Sequence, residues 1–165
     1  MPSVRTIHLI PNLCVGGAET FLIRLIPLLH SDQIIILFWR TKNIPSLRLD
    51  LIPSNCRIIN IDPFNTSFGS ILTFLRLLVS INDSDYVLSW LHVSDFLASV
   101  IKIVHPRKFM LFWNIRNIAI RRSQYSKLTY ARYIFCLFFL KSIPDKVIFN
   151  SFTAQKSFID KGFPS

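Results

Sequence analysis

Val4-Arg5-Thr6-Ile7-His8-Leu9-Ile10 runs into Pro11, a short loop that closes on Gly16-Gly17, and then a segment from Ala18 to Leu29. The first seven residues are rich in β-branched and aliphatic side chains and stop at a residue with no N–H, which reads as a strand. Past the glycines, Phe21, Leu22, Leu25, Ile26 and Leu29 recur at helical spacing. Pro27 removes a backbone donor and crowds the preceding turn, so the helix is expected to kink or end there. Strand, glycine loop and helix together form the opening unit of an α/β sheet.

The rest of the chain repeats that unit. Gln33-Ile34-Ile35-Ile36-Leu37-Phe38-Trp39 is a nearly unbroken apolar run, the pattern of a strand covered on both faces. Arg57–Ile61, Tyr86–Trp90, Phe109–Ile115 and Lys146–Phe149 read as further strands. Helical patterns fall at Phe68–Ile81, at Val93–Val104 and from about Ser123 to Leu140. A short helix over Thr153–Lys161 stops at Gly162. Pro45 and Pro53 mark loops in a less regular stretch, Thr41–Asn55. The alternation predicts one Rossmann-like α/β domain over residues 1–165, a doubly wound parallel sheet with helices on both faces.

Hydrophobic residues make up 51% of the chain and charged ones 17%, which is too much apolar surface for a disordered chain. The densest apolar run, Tyr133–Leu140, is well short of the roughly 20 residues a spanning helix needs. Val4–Ile10 contains Arg5 and His8 and meets Pro11 rather than a small-residue cleavage site, so no signal peptide is predicted. A cytoplasmic location is expected, with peripheral contact at the inner face of the plasma membrane as a second option. Cys14, Cys56 and Cys136 lie far apart, as buried thiols in a reducing compartment would. Lys and Arg total 19 against 9 Asp and Glu, a net charge of +10. Such an excess favours polyanions: nucleic acid, anionic headgroups or phosphorylated substrates. No RNA or DNA motif is present, so no specific nucleic-acid partner is expected.

Candidate chemistry gathers where strands give way to helices. Gly16-Gly17 lets backbone approach a ligand or adopt positive φ, and the helix N-terminus beyond it suits phosphate. The alternative is a tight turn that packs the helix on the sheet. Neither G-x-G-x-x-G nor G-x-x-x-x-G-K-[ST] occurs. Glu19 is either a ligand contact or a charge complementing the helix dipole. His92, after the Trp90 strand end, is either a ligand contact or a helix-entry residue. Arg116, between Asn114 and Asn117, places polar groups abruptly at the carboxyl end of a buried strand, where doubly wound sheets bind ligands. No Ser/His/Asp set, Cys/His pair or metal-spaced cluster is present, and no cofactor is implied.

In order, Ile7-His8-Leu9-Ile10, Gly16-Gly17-Ala18-Glu19, Arg24-Leu25, Asp85 to His92 with Asp95, Trp113-Asn114-Ile115-Arg116-Asn117, Asp145 to Ser151 and Lys161-Gly162-Phe163-Pro164 resemble the N-terminal domain of retaining GT-B glycosyltransferases of family 4. The resemblance spans essentially the whole chain. It implies a hexosyltransferase half that works with a nucleotide-sugar donor and a glycan or lipid-linked acceptor in polysaccharide or glycolipid biosynthesis. It also implies that Gly16 and Gly17 approach the donor diphosphate and acceptor, with Glu19, His92, Arg116, Asn117 and Ser151 as further contacts. Many members carry a histidine where Arg116 stands, so here Arg116 would hold phosphate or acceptor hydroxyls instead. The donor domain and its glutamate pair lie outside this sequence, which predicts a truncated chain that is inactive alone. The rival reading is a non-catalytic basic module that binds anionic membranes through residues such as Arg121, Arg122, Phe138 and Phe139.

Overall fold

A computed structural model describes residues 4–38, 51–61, 72, 75, 78–79, 81–83, 85–105, 108–116, 126–160 and 162–163. Among the described residues six strands lie side by side and all neighbouring pairs are parallel: β1 (Arg5–Ile10), β2 (Asp32–Leu37), β3 (Cys56–Asn60), β4 (Tyr86–Trp90), β5 (Met110–Ile115) and β6 (Lys146–Phe149). Their spatial order is β3-β2-β1-β4-β5-β6. This is the doubly wound order in which the chain reverses direction between β1 and β4, leaving a crevice at their carboxyl ends.

The helices follow from the apolar spacing. α1 (Gly17–Leu25) passes into a 3-10 turn at Ile26–Leu28, so Pro27 ends the α-helix as its missing N–H requires. α2 is His92–Val104, and α3 is Lys127–Phe135 continuing into a π-helical turn, Cys136–Leu140. α4 is Phe152–Ile159. Leu72, Leu75, Leu78 and Val79 are helical, as the Phe68–Ile81 pattern predicts, and Ile81 lies past the helix. Trp39, Ser123 and Lys161, placed by the sequence reading at element ends, lie outside the described residues.

Both sheet faces are covered. On one, Ile7, Leu9, Val87 and Leu111 pack against Ala98 and Ile101 of α2 and Cys136 of the π turn. On the other, Ile10 and Ile35 pack against Leu22 and Ile26 beside Trp90. Each buried Ile, Leu or Val among them contributes about 1.5–3 kcal/mol by leaving water. β3 is an edge strand, and its exposed Arg57 and Ile58 fit that position.

Two acids in the ordered motifs act at the amino edge of the sheet. Asp85 is fully buried and accepts from Arg5 Nε at 3.1 Å, Arg5 Nη2 at 2.5 Å and the Asn82 N–H at 2.8 Å. The bidentate pair joins β1 to the entry of β4 and raises the Arg5 pKa, chiefly through the hydrogen bond to Asp85. Asp145 accepts from Lys102 Nζ and the Leu111 N–H, both at 2.7 Å, tying α2 and β5 to the start of β6.

The end of α4 is a Schellman motif. Phe163 N–H donates to Phe158 O, Gly162 N–H donates to Ile159 O, and Gly162 has φ +80°. The Phe158 and Phe163 rings meet edge to face at 5.0 Å, closing the motif with a hydrophobic contact. Gly162→Ala is therefore expected to destabilise the chain by about 1–2 kcal/mol, the cost of left-handed backbone for a residue with a Cβ. Thermal unfolding checks this, with a drop of a few degrees expected.

Candidate functional site

The crevice at the β1/β4 reversal holds a cleft of about 360 Å³, lined by Val15, Gly16, Gly17, Thr20, Phe21, Arg24 and Arg116. Gly17, Thr20, Phe21 and Arg24 follow an i, i+3, i+4, i+7 pattern, so one side of α1 forms one wall. Arg116, the first residue after β5, forms another. Its guanidinium lies 4.1 Å from the Phe21 ring centre and 5.9 Å from that of Trp90. Partial burial lowers the Arg116 pKa, and no carboxylate among the described residues pairs with it. The backbone at Arg116 is held from just past the end of β6, where Asn150 Nδ2 donates to Arg116 O at 2.9 Å.

Trp90 is fixed from below. Its Nε1–H can only donate, and it reaches His8 Nδ1 at 3.2 Å. His8 must therefore carry its proton on Nε2, which donates to Gln33 Oε1 at 2.7 Å. Gln33 Nε2 in turn donates to Ser31 O and Oγ. Burial pushes the His8 pKa down to about 4, so the ring stays neutral and the chain of donors keeps one direction. Arg116, Trp90, His8, Gln33 and Ser31 thus form a continuous support running from the cleft into β1 and β2.

The glycines have separable roles. Neither has positive φ, contrary to one expectation, and Gly16 is extended at φ −162°. A Cβ at Gly16 would collide with the Glu19 carboxylate, which folds back over it, whereas one at Gly17 would meet nothing within 4 Å. Glu19 is buried in the first turn of α1, where its charge complements the free N–H groups. Gly16 makes room for Glu19, and Gly17 leaves the cleft floor open.

The other residues picked from sequence do not line this cleft. His92 begins α2 on the opposite side of the sheet, with Nδ1 3.6 Å from Asp95 Oδ2 and its ring edge-to-face with Tyr133 at 4.7 Å. Asp95 is buried and also accepts from Ser89 Oγ at 2.5 Å. Burial raises the Asp95 pKa, opposed by His92 and Ser89. Ser151 caps α4 by accepting from the Ala154 N–H at 3.2 Å. Asn117 lies outside the described residues.

Between Trp90 and His92, Leu91 has φ 72° and ψ 153°, a region essentially reserved for glycine. Ser94 Oγ donates to Trp90 O at 2.5 Å, and the Ser94 and Asp95 N–H groups donate to Leu91 O, so the turn is held despite its strain. Beside it Asn114, paired with Trp90 in the sheet register, buries an amide oxygen with no donor among the described residues.

Sequence reading missed Thr20, and it assigned Phe21 to the apolar stripe. Phe21 is in fact 44% exposed and carries the Arg116 stack. The signal available was the helical spacing from Gly17 through Phe21 to Arg24.

The whole fold has solved counterparts. Anabaena Alr3699/HepE in complex with UDP and glucose matches with a TM-score of 0.65 and 17% identity, over 98% of this chain and 42% of that one. The same protein with UDP matches at 0.66 and 16%, and with UDP-glucose at 0.63 and 16%. At such identity the likeness shows a shared fold. This chain spans less than half the length of HepE. No protein-family model matches the sequence, and no curated protein matches it significantly.

Proposed function

We propose that this chain is the acceptor-side half of a GT-B glycosyltransferase, with the Gly17–Arg116 cleft approaching the diphosphate of a nucleotide-sugar donor. The observation that carries the reading is the Arg116 guanidinium. Among the described residues it is a cation without a carboxylate partner, stacked on Phe21 and facing the N-terminus of α1 at the sheet's reversal point. Because Glu19 already meets that helix terminus, a diphosphate's charge falls to Arg116 and Arg24. Thr20 adds a hydroxyl that can donate or accept. Further support comes from HepE, whose complexes hold UDP-glucose and also its two parts, UDP and glucose.

The finer reading is retaining, family-4 hexosyl transfer onto a glycan or lipid-linked acceptor, in polysaccharide or glycolipid synthesis. It rests on the ordered motifs from Ile7 to Pro164. A second domain would complete the donor site, so the chain alone is expected to transfer no sugar. Robust turnover by the purified chain would overturn that part.

The direct test is an NMR titration with UDP-glucose and with uridine. UDP-glucose is expected to shift the Gly16, Gly17 and Thr20 amides. Arg116→Ala should weaken this response about tenfold or more, as loss of a charge-assisted contact does, and leave any uridine response unchanged. Equal UDP-glucose affinity in wild type and Arg116→Ala would sink the assignment.

A further inference from the structure

We propose that Asn114 is a specificity-determining residue of the Arg116 cleft, its amide meeting a hydroxyl of the ligand whose phosphate Arg116 holds. The inference rests on the sugar-nucleotide reading of that cleft and adds a residue to it. Asn114 lies on the cleft side of the sheet. Leu111, Trp113 and Ile115 of β5 pack into the core on the α2 side, so the alternate residues Phe112 and Asn114 face the α1 side. Its register partner on β4 is Trp90, one of the two rings against Arg116, and Arg116 itself follows two residues on. The side chain is only 3% exposed, and its oxygen is closed off from solvent with no donor among the described residues. Buried polar atoms are nearly always paired, so an orphan beside a cleft calls for a partner from outside the fold. Leu91, which follows Trp90, keeps its left-handed backbone at the same sheet edge, a second cost retained there.

Chemistry decides what that partner is. Arg24 and Arg116 line the cleft, so an ammonium is repelled and the partner is a neutral group on an anionic molecule. A hydroxyl fits, because it both donates and accepts and can meet either end of the amide. The terminal torsion of an Asn side chain is soft, so the amide turns at little cost to present that end. Cα atoms two residues apart on one strand face are separated by about 6–7 Å. A phosphate ester and a hydroxyl on the ring it joins can span that distance together. On the reading above a second domain completes the donor site, so the ring left to Asn114 is the sugar beyond the diphosphate. Arg116 is held at its backbone by Asn150, while its guanidinium rests on ring faces. As the guanidinium moves to a phosphate, it leaves the neighbouring amide open to the sugar.

The test compares the affinities of the purified chain for UDP and for UDP-glucose, read from NMR titration of the Gly17 and Thr20 amides. Asn114→Leu nearly keeps the size of the side chain and deletes its amide. It should weaken UDP-glucose binding about tenfold, as loss of one hydrogen bond does, and leave UDP binding within about twofold of wild type. It also takes an orphaned polar atom out of the core, so Tm should hold or rise. Binding and stability then move in opposite directions, as they do where a site is kept at the expense of the fold. Asn114→Ala carries the same comparison of affinities if Asn114→Leu fails to fold. Unchanged UDP-glucose affinity, or an equal loss for both ligands, would overturn this proposal and leave the Arg116 assignment standing. A clear fall in Tm with Asn114→Leu would mark the amide as structural and overturn it too. A wild-type chain that binds neither ligand would overturn both readings.

Discussion

Trp90→Ala is expected to destabilise the chain by about 3–5 kcal/mol and to weaken binding at the Arg116 cleft as well. The side chain is fully buried at the end of β4, so its removal leaves a cavity that the sheet above and α1 below cannot close. It also strips His8 Nδ1 of its donor inside the core, which adds the cost of an unpaired buried acceptor. Arg116 then loses one of the two rings it lies against. Trp90→Phe separates these effects. It keeps an aromatic face for Arg116 and most of the volume, and it should cost about 1–3 kcal/mol, largely through the orphaned His8 nitrogen. Urea unfolding near neutral pH measures both variants. A Trp90→Ala loss below about 1 kcal/mol would mean that the support beneath the cleft is not built as described.

Acid is expected to remove about 3 kcal/mol of stability through His8 alone. The folded ring titrates at about 4, against an ordinary value of 6.5. Below 6.5 the unfolded chain binds a proton that the folded chain refuses, so the penalty grows as pH falls and levels off below about 4. Above 6.5 both states are neutral at this site and the full stability is present. Asp95 works in the opposite direction, because its burial-raised pKa makes protonation easier in the folded state. His8→Gln isolates the histidine part: it remains polar but does not titrate. The difference in unfolding free energy between wild type and His8→Gln should therefore move by about 3 kcal/mol between neutral pH and about pH 4. NMR of the His8 ring offers a second check, and protonation near its ordinary value would refute the argument.

Much of the architecture was legible from local pattern. β4 and β6 lie where their residues indicate, β1, β3 and β5 shift by one residue at their ends, β2 starts one residue earlier and ends two earlier, and Pro27 and Gly162 stop helices by backbone chemistry that needs no neighbours. The site was less legible. Gly16, Gly17 and Arg116 were picked because polar or flexible residues interrupt apolar runs at strand ends, and they do meet in one cleft. His92 showed the same signal and Ser151 came from the family resemblance, yet one faces Asp95 and Tyr133 and the other caps a helix.

By itself, the sequence determined that strands alternate with helices, that Pro27 and Gly162 stop theirs, and that a basic, acid-free stretch runs between Asp95 and Asp145. Those properties depend on periodicity, backbone conformation and charge, all carried by neighbouring residues. Only the tertiary structure decided the β3-β2-β1-β4-β5-β6 order, the burial of His8 against Gln33 and Trp90, and the placing of Arg116 over Phe21. The partners involved lie 25, 82 and 95 positions apart in the chain (8 to 33, 8 to 90, 21 to 116). Contacts at such separations exist only once the sheet has brought its strands together.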